Sequence, residues 1–497
     1  MDYSQFLAMK QEIGLLVVFL LVFLYDTFMP QRSQKGLPVF ATVAFGLYTI
    51  FSFLPCCAEA GNAFGGATAV MFTQDSATWA MKCILNIGMF IVLLQSIKWA
   101  NSEFVSVRRG EFYELLLLTL FGMMLMISGR HFLVFVIGLE TASLPLAALA
   151  AFEKRYYESH EAAAKYIFTA IFSSAILLMG LSFVYALGGG SLYFTDLASA
   201  LVTGRHSLLL VTALAFVIAG IGFKLSLVPF HLWTADVYQG APTSVTAYLS
   251  VISKGSAAFA FFVILVQVFG AAYAQVWQWM LYAVIIVTIT VGNLFAMRQR
   301  NLKRFLAFSS ISQAGYIMLG VIAANAAGMT SMMYYILVYI FSNLAAFGVI
   351  GVIERKTGKV TIDDYNGLFK TNPWLAFVMM LAMFSLGGIP PFAGFFSKFF
   401  IFVGAASTGS VAVYVLVLIA LINTIISLYY YLLVVKAMFI RQDDCVIPAF
   451  KSAWNERAAL IVCAAGIIAI GLASCIYAGL DKIATSDALA YVFQWAH

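Results

Sequence analysis

The sequence predicts an all-α membrane protein of about fourteen transmembrane helices, including discontinuous ones, arranged as two inverted five-helix repeats with flanking helices. Three observations carry this. Of 497 residues, 63% are hydrophobic and only 10% charged. A soluble domain carries roughly 25% charged residues, so this chain lacks the polar side chains to coat a water-facing surface. Apolar runs of about 20 residues, the length that crosses a bilayer core, recur from one end to the other. Lysine and arginine gather in alternate short connections between those runs.

The expected spans divide into four stretches. Residues 1–110 hold three flanking spans, starting near Leu15, Val39 and Ile84. Asn86 and Gly88 blur the start of the third. The first run lacks a small-residue cleavage site behind it and reads as a span, not a removed signal. Residues 111–270 hold five spans, starting near Leu115, Phe132, Ala162, Leu208 and Val245. Residues 271–440 hold five more, from Trp277, Leu302, Met332, Trp374 and Val411. Residues 441–497 form a loop and a last span near Ala458. An odd number of spans per unit forces the second unit to enter the membrane upside down relative to the first.

Charge then sets orientation. Twenty of the 28 Lys and Arg fall in one set of alternate connections, among them Arg32, Arg298, Arg304, Arg355, Lys370 and Arg441. The opposite set holds only Lys10, Lys82, Arg130, Arg205 and Lys482. Positive residues stay inside, so the rich set is cytoplasmic and both termini, on an even count, are external. The net charge of +6 is therefore topological, and nucleic acid is not an expected partner.

Other functions are excluded by what is missing. The six cysteines (Cys56, Cys57, Cys83, Cys445, Cys463 and Cys475) form no C-x-x-C pair and lie near no histidine cluster, which argues against haem, iron–sulfur or zinc. Gly188-Gly189-Gly190 is a loop signal with no phosphate motif behind it. No cofactor or metal is expected on this chain.

Three lysines remain once the connections are accounted for: Lys224, Lys254 and Lys398, all inside spans. A lysine at mid-membrane costs about 2.5–3.5 kcal/mol on insertion scales. Burial and a nearby carboxylate act oppositely on its protonation, which suits a residue that gains and loses protons. Glu140 is the expected carboxylate. The alternative is a snorkelling side chain or a static ion pair. Lys224 precedes Pro229 by five residues, and Lys398 follows Gly387-Gly388-Ile389-Pro390-Pro391. Proline breaks a helix ladder, and broken helices at matching places in two halves point to the ion path of a transporter. His231 and Asp236, expected in the loop after the first break, are candidates to feed protons from the cytoplasmic side. Gln313, Tyr316, Asn343 and Asn423 are polar positions inside spans that hold waters or bond between helices.

Several segments carry a resemblance: Val228-Pro229-Phe230-His231-Leu232-Trp233, Asp236-Val237-Tyr238-Gln239-Gly240-Ala241-Pro242, Ser253-Lys254-Gly255, and the stretch from Leu302 to Ser310. With Gly387 to Pro391 they are similar to the antiporter-like membrane subunits of NADH-quinone oxidoreductase (respiratory complex I), the subunit N branch in particular. The likeness runs from about Glu111 to Phe439. It implies proton translocation through Glu140, Lys224, Lys254 and Lys398, with His231, Asp236, Gln313 and Tyr316 in support. It also implies a bacterial inner-membrane location, other membrane-arm subunits and lipid as partners, and NADH, FMN, iron–sulfur clusters and quinone in partner subunits. A histidine stands in many relatives where this chain has Gln313, so the link between Lys254 and Lys398 is expected to run through water or hydrogen-bond rotation. Two other readings remain open at this stage: an Mrp-type secondary sodium/proton antiporter, and a structural subunit without transport.

Overall fold

The computed structural model describes residues 3–30, 33–65, 69–103, 105–203, 208–440, 447–473 and 475–485. Arg32, Arg205, Arg441 and Cys445 lie outside them. In chain order the flanking part comprises α1 (Lys10–Phe28), α2 (Leu37–Ser52), a hairpin of β1 (Gly61–Gly65) and β2 (Val70–Gln74), and α3 (Ser76–Ala100). Then follow α4 (Arg109–Ser128), α5 (Phe132–Ala150), α6 (Tyr157–Leu187), the short α7 (Phe194–Thr203), α8 (Leu208–Leu225), α9 (Leu232–Gly240), α10 (Thr243–Tyr248) and α11 (Lys254–Gln267). The second group is α12 (Gly270–Ala296), α13 (Leu302–Ala323), α14 (Ala326–Thr357), α15 (Pro373–Gly387), α16 (Ala393–Ala406) and α17 (Val411–Phe439). The chain continues through α18 (Trp454–Leu472) and α19 (Cys475–Ala484).

Among the described residues thirteen helical segments are long and apolar enough to cross a membrane. The half-length pair α15 and α16 supplies the remaining expected span. Among the described residues the antiparallel β1–β2 hairpin is the one sheet in an otherwise helical chain. It caps the flanking helices at the end where α3 begins.

Local chemistry explains where helices start and stop. The Asp75 carboxylate accepts from Thr78 N–H, and Thr78 Oγ1 accepts in return from Asp75 N–H, a capping box that starts α3. Asn301 and Asn325 cap α13 and α14 through their side chains. The chain leaves α8 at Ser226 and re-enters a helix at Leu232, with Pro229 between them. Gly388 ends α15 at φ 84°, a conformation glycine adopts without strain. Pro390 and Pro391 follow, and Gly394 then passes so close to the Ser385 carbonyl that a Cβ there would overlap it.

Burial sorts the helices into a rim and a centre. The most apolar windows of α1, α6 and α17 are only 28%, 33% and 28% buried, whereas those of α10–α11 and α13 are 100% buried. The central helices are therefore shielded from lipid on every side by their neighbours. Their polar residues are what the fold encloses.

The basic connections converge on one face. A cavity of about 720 Å³ there is lined by parts of five of them, including Arg108, Lys154, Asn301, Lys303, Arg355 and Glu456. Lys303 pairs with Glu354 at 3.2 Å and Arg355 with Glu456 at 2.5 Å. Burial pushes the Glu153 carboxyl up at this face, and a bond of 2.6 Å from the Trp99 indole N–H opposes it.

One expectation is corrected. Lys82, assigned from sequence to an external connection, is the seventh residue of α3, about 10 Å along a helix rising 1.5 Å per residue. It is fully buried and pairs with Glu12 of α1 at 2.6 Å. It also donates to Gln74 at 2.5 Å. The buried lysines inside spans are therefore not confined to Lys224, Lys254 and Lys398.

Candidate functional site: a row of buried lysines

Lys224 stands in the last turn of α8, just before the first break, and is 3% exposed. Its ammonium donates to Ser143 Oγ at 2.7 Å and Tyr166 Oη at 3.4 Å. Glu140 lies one helical turn before Ser143 on α5, and it accepts from Ser174 Oγ at 2.5 Å. No ion pair joins Glu140 to Lys224 among the described residues. The direct partners of the ammonium are Ser143 and Tyr166. Those two residues carried no distinguishing signal in the sequence.

Lys254 sits at the middle of the Thr243–Gln267 span, immediately after a π-helical turn, Leu249–Ser253. Such turns widen the ladder and free carbonyls at functional sites. The ammonium donates to Ser310 Oγ at 2.7 Å and Ser310 O at 3.2 Å, and lies 5.6 Å from the Tyr238 ring centroid. Between Lys224 and Lys254 runs an aromatic file. Tyr166 meets Trp233 at 5.2 Å, and Trp233 meets Tyr238 at 6.2 Å. The Thr234 and Tyr238 hydroxyls beside it are buried without completed hydrogen bonds, the kind of group that ordered water satisfies.

Lys398 lies on α16, after the second break. Its ammonium donates to Leu386 O at 2.8 Å and Gly387 O at 3.1 Å. These are terminal carbonyls of α15, the negative end of a half-helix, so the cation is held by helix polarity in place of a carboxylate. The Tyr316 ring lies 5.4 Å away, which gives Tyr316 direct contact with the row. The lysines stand on opposite sides of their breaks: Lys224 before the first and Lys398 after the second.

The supporting candidates divide. Gln313 is buried and bonds to Tyr431 Oη at 3.1 Å and to Tyr335, next to a cavity of about 10 Å³ that it shares with Lys398. Asp236 is in α9 and not in a loop. It is clasped by Lys165 at 2.5 Å and Arg304 at 2.6 Å, so it ties α6, α9 and α13 together at the basic face. His231 immediately precedes α9, with Nδ1 buried and unbonded. Among the described residues no hydrogen bond or ion pair joins it to a lysine, although Lys254 is near enough to act on it through its charge. Asn343 donates to Ser250 at 2.6 Å, and Asn423 accepts from Asn293 at 3.2 Å. No group of three or more His, Cys, Asp or Glu among the described residues is placed to hold a metal ion.

Residues 129–427 match the family model described as NADH:quinone oxidoreductase/Mrp antiporter, TM. The chain belongs to this family. Within the NADH:quinone oxidoreductase/Mrp antiporter family, it is 52% identical to NADH-quinone oxidoreductase subunit N of Azobacteroides pseudotrichonymphae, over 97% of this chain and 98% of that one. A chain of respiratory complex I from Thermus thermophilus with bound aureothin superposes with a TM-score of 0.75 at 30% identity, covering 93% of this chain and 97% of its own. A chain of the Mrp complex from Dietzia shares the fold, with a TM-score of 0.82 at 21% identity and full coverage of both. The matched residues contain Glu140 and all three lysines of the row.

Proposed function

We propose that this chain is the proton-translocating, antiporter-like subunit N of an NADH-quinone oxidoreductase, working in the membrane arm while partner subunits carry the redox chemistry. The observation that carries this reading is the row itself: Lys224, Lys254 and Lys398, each buried at a helix irregularity and each bonded to neutral oxygens instead of a fixed counter-ion. An ammonium so held is not locked in its charged state, which a residue that must release a proton requires. Glu140, one turn from the Ser143 that binds Lys224, modulates that lysine, Lys254 bridges, and Lys398 serves the exit. Spans four to eight and nine to thirteen form the two inverted repeats, each with one broken helix. NADH, FMN, iron–sulfur clusters and quinone belong to the partners.

A secondary antiporter of the Mrp type shares the fold, but the relatives at about half identity along nearly the whole length favour the oxidoreductase. Purification from native membranes tests the choice. The chain is expected to co-purify with other hydrophobic subunits and with NADH-oxidising ones. Recovery as a lone protein that exchanges sodium for protons in proteoliposomes would favour the antiporter.

The surroundings of Glu140 support a neighbouring membrane subunit. Its side chain is only partly buried, and beside it on the same helix Ile137 and Leu144 are 49% and 54% exposed. A carboxylate facing acyl chains is costly, so we infer that another membrane-arm subunit covers this face. The basic-loop face is cytoplasmic and both termini periplasmic in an inner membrane. A single cysteine placed at Lys356 is therefore expected to resist a membrane-impermeant thiol reagent applied outside intact cells and to react after permeabilisation. Labelling in sealed cells would reverse the orientation.

A further inference from the structure

Among the described residues no carboxylate or imidazole bonds Lys254 to Lys398, and Gln313, which stands between them, is already occupied. Its Nε2 donates to Tyr431 and its Oε1 accepts from Tyr335. A side-chain amide held at both ends cannot take up a proton. Tyr339 lies one turn further along α14. Its hydroxyl is buried and completes no hydrogen bond, yet it faces Ser310 closely enough to interact with it. Ser310 is the residue that accepts from Lys254. Tyr339 also lines the cavity of about 10 Å³ that reaches Lys398, a volume close to what one water needs.

We propose that the Tyr339 hydroxyl, with one water in that cavity, carries the proton between Lys254 and Lys398. The transfer balances as a chain of hops. An N–H bond of the Lys254 ammonium breaks as Ser310 Oγ gains that proton, and Ser310 passes its own to Tyr339 Oη. Tyr339 passes its proton to the water, and the water passes one to the Lys398 amine. One proton has moved, and every oxygen ends with the number it began with. Rotation of the hydroxyls then resets the chain. No tyrosinate or free hydronium is required.

The inference rests on the relay reading above, and the experiment separates the two. Tyr339→Phe in the intact oxidoreductase keeps the ring and removes a hydroxyl that completes no bond, so assembly and melting temperature are expected to be unchanged. Pumping in membrane vesicles, followed with a pH-gradient dye during NADH oxidation, is expected to fall by about tenfold or more, below the contribution of an ideal proton carrier because water can partly stand in. Tyr339→Phe combined with Gln313→His is expected to recover pumping, since an imidazole at the same cavity can carry the proton. Normal pumping by Tyr339→Phe would overturn the inference. So would a loss that came with a lower melting temperature and was not rescued by the histidine, which would make Tyr339 a packing residue. If Tyr339→Phe pumps normally while Lys254→Ala and Lys398→Ala do not, the relay stands without Tyr339. If Lys254→Ala pumps normally, the relay reading itself fails.

Discussion

Lys82→Met is expected to destabilise the chain by about 3–5 kcal/mol, the cost of leaving one partner of a buried ion pair uncompensated. The pair is Lys82–Glu12, with side chains 0% and 1% exposed. Among the described residues the Glu12 oxygens have no hydrogen-bond donor besides that ammonium. The pair joins α1 to α3, and Gln11 and Gln74 bond to each other at 3.1 Å beside it. Its loss would loosen α1 from α3. The measurement is the melting temperature and yield of the assembled complex. Glu12→Gln in the same background removes the stranded charge and is expected to restore most of the loss, because replacing both partners of a buried pair costs far less than breaking it. Equal instability in the single and double variants would mean that packing, not charge, holds these helices.

Substitution of Lys398 by alanine is expected to abolish proton translocation in an otherwise assembled complex. The ammonium bonds only to carbonyl oxygens at the end of α15, and those carbonyls can accept from water when the side chain is gone, so the fold survives. On the proposed relay the transport function does not, because Lys398 would be the last proton-holding group before the exit. Lys254→Ala is expected to do the same, with Ser310 left intact but without its donor. Both are read as pumping per NADH oxidised, alongside the quantity of complex. Assembly lost in parallel with pumping would point to a structural role for these lysines.

Much of this arrangement is written locally. The span count follows from apolar length, the breaks from Pro229 and from Pro390–Pro391, and the three lysines of the row from their position inside apolar runs. What the sequence hides is pairing over distance. Ser143 and Tyr166 lie 81 and 58 residues from Lys224, and hydroxyl side chains are too common in spans to single out. Lys82 falls outside the span expected from sequence because that span is read to start only near Ile84, whereas Asp75 caps a helix that already starts at Ser76. Asp236 reads from sequence as a loop residue that could feed protons, because its partners Lys165 and Arg304 are 71 and 68 residues away. Glu140 and Lys224 share a neighbourhood but not a bond, a distinction that requires the geometry of α5 against α8.

The central claim, that these lysines exchange protons instead of merely carrying charge, meets its most direct test at Lys224. Arginine keeps a positive charge at any physiological pH and cannot release it, so Lys224→Arg separates the two roles. The measurement is the number of protons moved per NADH oxidised by the assembled Lys224→Arg complex in sealed vesicles. A relay predicts a clear deficit, comparable to that of Lys224→Ala, with the complex present in normal amount; a ratio equal to that of the unmodified complex would contradict it.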